Sequence, residues 1–370
     1  MGRFDAALYA DRGPDKEVIH NVNRRMTLKG AAAAGLVATG GAGLLSTACS
    51  SRSNGQAADQ AAGRDLPVRL LSSQGIQVLT IQALLNNKGY YKQFGLIPTT
   101  LAVSSGTNII GPLLNGDAEI CIFAGFSQLL TAIEKGANLK ILGGASIKGQ
   151  QALFSKQPAI KTLKDLEGRV GAIGAQLHQV VVALLRKKGV DVSKVRFVTV
   201  GSSGDVFRSV AAGIVDAGNG QADVLSSLDR FGVHMIEGGD YATALPEFTW
   251  QASFANTKTI RDRRETLVRT LAAYCKAFRY VQNPGSKDDY VRAQLDALGL
   301  KGGDEAIAGA VSQWEYLQQR KIYAEDLVLS EERVQYMQEL NIQIGGQKKV
   351  IPYNQLIDTS LAREAVARLA

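Results

Sequence analysis

Five short turns carry the residues best placed to do chemistry in this chain, and they are rich in hydroxyls, amides and glycine. They are Ser72-Ser73-Gln74-Gly75, Ser104-Ser105-Gly106-Thr107, Ala124-Gly125-Phe126-Ser127, Gly174-Ala175-Gln176-Leu177-His178 and Ser202-Ser203-Gly204. Each follows an apolar run and precedes a helical stretch, so free backbone N–H groups at a helix start stand ready to meet a ligand. Asn219 and Gln221 sit at a sixth strand end, and Trp250 lies on a later crossing where it either stacks on a flat solute or is simply buried. The candidate contacts are therefore Gln74, Ser105, Thr107, Phe126, Ser127, Gln176, His178, Ser203, Asn219, Gln221 and Trp250. Helix capping is the plainer account of any one Ser at such a turn. Phe126 reads equally as a lid or as core, and His178 as a capping or surface residue before a ligand contact. Lys148 aside, no Arg or Lys stands at these turns. That composition argues against a doubly charged phosphate. It favours a neutral heterocycle or a weakly hydrated anion such as a sulfonate, held by amides and hydroxyls.

Catalytic signatures are missing. The chain has no Gly-x-Ser-x-Gly elbow, no His-Glu-x-x-His and no phosphate-binding loop. Of its three histidines, His20 lies in the leader and His234 is poorly placed for a triad. Cys121 falls in an apolar strand and Cys275 on an apolar helix face, without the spacing of a metal site. Two buried free thiols are the leading expectation for them, with a bridge as the alternative. The reading is a binding protein, not an enzyme, with no cofactor and no metal.

Those turns must be positioned by a repeated framework. Val103-Ser104-Ser105-Gly106-Thr107-Asn108 returns about 97 residues later as Val200-Gly201-Ser202-Ser203-Gly204-Asp205. Leu114-Asn115-Gly116-Asp117-Ala118-Glu119 is echoed by Ala212-Gly213-Ile214-Val215-Asp216-Ala217. Two copies are too few for a solenoid, so two similar α/β lobes with a ligand cleft between them are expected. Strands alternate with helices through both units, among them a strand over 67–72, a helix over 76–89, a strand over 214–218 and a helix over 222–231, which gives a mostly parallel sheet in each lobe. The first lobe runs over 67–151 and is completed by 247–370; the second covers 152–246. Beyond Phe254 the pattern is helical, over about 258–282, 287–298, 303–320, 331–341 and 354–369. Within that block Trp314 and Tyr316 are read as packing residues.

Residues 1–49 read as an export signal. Arg24-Arg25-Met26-Thr27-Leu28-Lys29 resembles a twin-arginine motif, and the run Gly30 to Leu45 is too short and small-sided for a membrane span. Leu45-Ser46-Thr47-Ala48-Cys49 resembles a lipobox that would lipidate Cys49, while Ser46-x-Ala48 also suits ordinary signal peptidase. Both routes stay open. Residues 50–66 form a polar linker. Of the formal charge of +8, the first 48 residues hold six basic and four acidic groups, leaving +6 on the rest. No basic block or aromatic-interleaved stripe accompanies it, which speaks against nucleic acid.

Five further motifs occur in order: Gly89-Tyr90-Tyr91-x-x-x-Gly95-Leu96, Leu114-x-Gly116-x-Ala118-Glu119-Ile120, Leu163-x-Asp165-Leu166-x-Gly168-Arg169-Val170-Gly171, Lys188-Gly189-Val190-Asp191 and Ala212-Gly213-x-Val215-Asp216-Ala217. With Ile357-Asp358 before a closing helix, the chain resembles the periplasmic solute-binding proteins of ABC importers for nitrate, sulfonates, taurine and thiamine-precursor pyrimidines, from about Pro67 to Pro284. The resemblance implies a type II-like two-lobe periplasmic-binding-protein fold with a helical C-terminal region. It implies hinge closure on one small solute and delivery to a permease and its ATPase. The expected protein is a monomer in the periplasm or on the outer face of the cytoplasmic membrane, held there if Cys49 is lipidated. One departure stands out: Gly218-Asn219-Gly220-Gln221 replaces the Pro or bulky residue that commonly follows the second acidic-Ala motif. Rival readings are a pyrimidine-synthase-like enzyme, which would carry a Cys-rich motif where Cys121-Ile122-Phe123-Ala124 has one Cys, and an exported receptor for signalling. A regulator's effector domain is disfavoured by the export signal and the lack of a helix-turn-helix.

Overall fold

The repeated stretches become equivalent strands of two separate sheets. The structure, a computed structural model, describes residues 65–73, 75–103, 109–173, 177–343 and 345–369. Strands β1 (Leu66–Ser73), β2 (Leu96–Val103), β3 (Ile120–Gly125), β4 (Leu139–Gly144) and β10 (Gln251–Asn256) form one sheet in the order β2-β1-β3-β10-β4. Strands β5 (Gln151–Ser155), β6 (Val170–Ile173), β7 (Arg196–Thr199), β8 (Ala217–Gln221) and β9 (His234–Asp240) form the other, in the order β7-β6-β8-β5-β9. Position for position, β1 matches β6, β2 matches β7 and β3 matches β8, so the sequence repeat is a repeat of sheet topology.

Neither sheet is purely parallel. β1 runs parallel to β2 from Leu66 opposite Leu96 to Ser73 opposite Val103, and β6 runs parallel to β7 and β8. β10 is antiparallel to both β3 and β4, and β5 is antiparallel to both β8 and β9. The reversed strand is in each case the first one laid down after the chain crosses between sheets. Each sheet is therefore mixed and flanked by helices.

The longer helices are α1 (Ile76–Asn87), α2 (Phe126–Glu134), α3 (His178–Lys187), α4 (Ser203–Ala211), α5 (Arg264–Val281), α6 (Lys287–Leu298), α7 (Asp304–Arg320), α8 (Glu331–Gln343) and α9 (Thr359–Ala367). The first sheet packs on α5 through an aromatic cluster. Phe123 meets Tyr274, Phe278 and Tyr323 edge-on at 6.0, 5.8 and 6.3 Å, and Phe278 stacks on Tyr323 at 4.9 Å. The second sheet has a smaller core of Ala152, Phe154, Val206, Phe207 and Val210. Such rings dominate core energetics because each removes a large apolar area from water.

Local competition moved several boundaries. The helix expected over 258–282 breaks at Arg263, which leaves helical geometry at φ −130°. Its guanidinium reaches the buried Glu119 at 2.9 Å and the Pro67 carbonyl at 2.6 Å. The helix expected over 354–369 breaks at Ile357-Asp358, where Ile357 bridges to Ile141 and the Asp358 amide donates to the Ile141 carbonyl. The strand expected over 214–218 begins three residues later, because Asp216 is occupied in accepting the Val170 amide at 2.7 Å. The helix expected over 222–231 is a 3₁₀ stretch over Ala222–Ser227 followed by one turn, Leu228–Phe231. Cys121 and Cys275 are free and buried, so the disulfide alternative is set aside. Among the described residues no helix is long and apolar enough to cross a membrane.

Candidate functional site

The departure at Gly218-Asn219-Gly220-Gln221 has a packing cause. A Cβ on Gly218 would stand 2.6 Å from Val206 of α4, and one on Gly220 would stand 2.9 Å from the Phe154 ring. Only glycine lets α4 and β5 approach β8 this closely. Alternation along the strand then sends Asn219 and Gln221 to the opposite face. Asn219 is fully buried, and its Nδ2 donates to Gln151 Oε1 at 2.9 Å and to Ser203 Oγ at 3.2 Å. Ser203 is available for this because Ser202 does the capping. The Ser202 hydroxyl accepts from the Asp205 amide at 3.3 Å, and Asp205 closes the box by accepting from the Ser202 amide at 2.7 Å. The Ser202 hydroxyl, which donates to the same carboxylate at 2.7 Å, and then the Ser202 amide hold the Asp205 carboxyl below its ordinary range.

The opposing lobe supplies α1. Gly75 precedes it in extended geometry, and the first turn presents Gln77. Gln77 Nε2 donates to Gln221 Oε1 at 2.9 Å, joining the turn after β1 to the end of β8. This bond spans 144 residues and ties the first turn of α1, which follows β1, to the last residue of β8 in the other sheet; open α/β sheets hold ligands beyond the carboxyl ends of their strands.

The sequence-chosen residues divide clearly. Ser203, Asn219 and Gln221 gather at this junction, although Asn219 lies inside β8 and not at its end. Trp250 is half-buried and tilts against Phe248 at 5.9 Å on the return crossing. Next to it, Gln251 accepts from Ser146 Oγ at 3.2 Å and donates to the Phe123 carbonyl at 3.3 Å. Phe126 is corrected: its ring is 2 % exposed and packs edge-on against Phe254 at 5.9 Å, so it is core and not a lid. Ser127 lies in the first turn of α2 behind Gly125 at the N-cap, and its carbonyl accepts from Thr131 and Asn341. His178 is exposed at the start of α3 and edges the Phe197 ring at 5.0 Å. Gln74, Ser105, Thr107, Gln176 and Cys49 lie outside the described residues.

Sequence reasoning passed over Gln77 and Gln151. The available signal for Gln77 was a lone amide in the first turn of the otherwise apolar Ile76-Gln77-Val78-Leu79. Gln151 had none, since its partner is 68 residues away.

At the crossing between lobes the charges are already satisfied. Asp240 accepts from Tyr316 and Arg320 at 2.6 Å each, and Lys148 Nζ donates to the Arg320 carbonyl at 2.6 Å. Burial lowers the Lys148 pKa, helped by Arg333 and Arg320 nearby. Trp314 donates its indole N–H to Ser286 at 2.9 Å, so it serves packing as expected. Neither cysteine is set up as a nucleophile. Burial pushes the Cys121 thiol up to about 12 and Cys275 up to about 11, far from the thiolate a nucleophile needs. Among the described residues no three His, Cys, Asp or Glu side chains are grouped to hold a metal. A cavity of about 520 Å³ lined by Arg69, Glu119 and Arg263 sits at the amino end of β1, away from the Gln77–Gln221 junction. The junction offers amides and a hydroxyl, groups that can hydrogen-bond a small polar molecule, where α1 meets the end of β8.

Comparison with known proteins bears on this geometry. A family model described as NMT1/THI5 like matches residues 81–286. No match was found among curated protein sequences. The periplasmic aliphatic sulphonate-binding protein SsuA of Escherichia coli superposes with a TM-score of 0.64 at 17 % identity, covering 80 % of this chain and 98 % of that one. The periplasmic sulfonate-binding SsuA of Methylobacillus flagellatus KT gives 0.63 at 17 % identity, covering 83 % and 96 %. The desulfurization enzyme DSZB gives 0.57 at 16 % identity, covering 82 % and 99 %. At these identities the likeness establishes the periplasmic-binding-protein fold. It also places that fold in binders and in an enzyme alike.

Proposed function

The chain belongs to the NMT1/THI5-like family, and from that premise we propose that it is the exported solute-binding component of an ABC importer. It closes two α/β lobes on one small organic solute and hands it to a permease and its ATPase. The observation that carries this reading is the Gln77–Gln221 hydrogen bond of 2.9 Å, a polar contact between the start of α1 in one lobe and the end of β8 in the other. Hinge closure around a ligand makes and breaks contacts of this kind. Binding, not catalysis, is favoured by a junction built of Gln, Asn and Ser side chains.

The solute is a sulfonate- or taurine-like anion or a pyrimidine-like heterocycle. Ser203, Asn219, Gln221 and Trp250 are its proposed contacts, with Gln74, Ser105, Thr107, Ser127, Gln176 and His178 in the adjoining turns, and Gln77 joins them. Residues 1–49 direct export by a twin-arginine-like signal, and lipidation at Cys49 would keep the monomer at the outer face of the cytoplasmic membrane.

A thermal-shift screen of the purified full chain against alkanesulfonates, taurine, nitrate, aromatic carboxylates, pyrimidines and riboflavin tests the proposal. A solute at 100 times its Kd adds about 2.7 kcal/mol to stability, readily seen in a melting curve. A shift confined to one chemical class is the expected result. No shift with any of them would transfer the weight to a signalling receptor.

A further inference from the structure

The turn after β8 meets the C-terminal helices in a buried seam. Ser312 of α7 donates to the Ala222 carbonyl at 3.3 Å, and Gly309 brings α7 so near that a Cβ there would stand 3.6 Å from the Asp223 carbonyl. Tyr290 and Gln294, one turn apart on α6, and Gln313 on α7 are at most 3 % exposed. Tyr290 lies close enough to Asp223 for the carboxylate to help raise the phenol pKa, with burial the larger cause. Yet among the described residues the Tyr290 hydroxyl, Gln294 Oε1, Asp223 Oδ1 and both ends of the Gln313 amide have no hydrogen-bond partner. Native interiors leave very few polar groups in that condition, because each has given up water for nothing in return. Five such atoms stand on the three elements that meet here, with Tyr290 the one placed against Asp223.

We propose that this seam is a specificity subsite of the solute cleft, taking a hydrogen-bond-donating group of the solute such as a primary amine or amidine. The inference rests on the solute-binding reading and extends it. Asp223 stands two residues beyond Gln221, so the seam continues the Gln77–Gln221 junction. Three of the five unpartnered atoms are acceptors only, namely Asp223 Oδ1, Gln294 Oε1 and Gln313 Oε1. A bare sulfonate offers only acceptors and cannot satisfy them, whereas an N–H-rich group can. Burial raises the Asp223 pKa against the pull of its own amide and that of Val224, and a cationic amine in contact would reverse that shift. The seam is too tight to admit a solute as it stands. It opens when Asp223, carried by the second sheet's lobe, parts from helices packed on the first.

The test uses the purified full chain, Gln313→Leu and Tyr290→Phe, with two matched probe pairs: taurine against ethanesulfonate, and 4-amino-2-methylpyrimidine against 2-methylpyrimidine. Unliganded melting temperatures and calorimetric titrations are the readouts. The expected result is that an aminated probe binds about tenfold or more tighter than its partner. Gln313→Leu erases that preference, while its own unliganded melting temperature holds or rises by about 1–3 °C. A lowered unliganded melting temperature in both variants would show the groups to be structural and overturn the subsite. Equal binding within each pair, or a preference untouched by Gln313→Leu, overturns it too and leaves solute binding standing. No binding by any of the four probes removes the solute classes named above together with the subsite.

Discussion

β3 and β8 hold the same place in their sheets and differ in almost everything else. β3 reads Ile120-Cys121-Ile122-Phe123-Ala124-Gly125 and is buried against α5 and its aromatic cluster. β8 reads Ala217-Gly218-Asn219-Gly220-Gln221, with a glycine on alternate positions and amides between. Both strands are covered on both faces, so both escape the usual alternation of apolar and polar. One fills its surroundings with side-chain volume, the other by bringing neighbouring elements against its backbone. The duplicated framework thus divides its labour. The first sheet is organised by packed rings, and the second carries buried amides on its central strand.

The largest test of that contrast is Phe123→Ala. Removing a ring that touches Tyr274, Phe278 and Tyr323 is expected to cost about 3–5 kcal/mol in a denaturant titration. A loss below that range would mean that the first lobe is not held by its aromatic cluster. Glycine tells the two strands apart next. Gly218→Ala drives a Cβ into Val206 and Val210 at 2.6 and 2.9 Å and should cost about 1–3 kcal/mol. Gly125→Ala, with nothing within 4 Å of its Cβ and ordinary φ of −69°, should fall within about 0.5 kcal/mol of the parent. Similar effects at the two glycines would erase the distinction.

Across the lobes, a double-mutant cycle of Gln77→Ala and Gln221→Ala should return a coupling of about 0.5–1.5 kcal/mol in stability. A coupling of zero would mean that the lobes do not meet there in solution. The smallest effect concerns acid. Arg368, and then Arg269, hold the Glu265 carboxyl down to about 2 from 4.5. Its contribution is present above pH 4.5 and is lost as the pH falls toward 2. Glu265→Gln should flatten that acid limb by about 1 kcal/mol or less, because the pair is partly solvated. An unchanged limb would remove this ion pair from the scaffold's account.

Much of the framework was legible because it is written in local patterns. Apolar runs, glycine stops and small polar turns placed β1 and α1 within two residues, and α6 was read at its observed bounds. The failures share one cause. β8 started late because Asp216 answers to Val170, and two helices broke where Arg263 and Ile357 answer to Glu119 and Ile141. In each case a distant partner outbid a local preference. The polar junction was half legible. Gln221 and Ser203 stand at turns any reader would mark, whereas Gln77 joins them only through a bond to a residue 144 positions away.

By itself the sequence determined the class of fold, the duplication that makes β3 and β8 equivalent, and the hydroxyl-and-amide character of the turns, since all three reside in residue type and short-range spacing. Tertiary structure alone decided that β5 and β10 run against their neighbours. It decided too that Phe126 is core, that Gly218 and Gly220 exist for close packing, and that, among the described residues, polar atoms of Asp223, Tyr290, Gln294 and Gln313 are buried without partners. Each of those outcomes depends on which surfaces far apart in the chain exclude water from one another, and no local pattern records that.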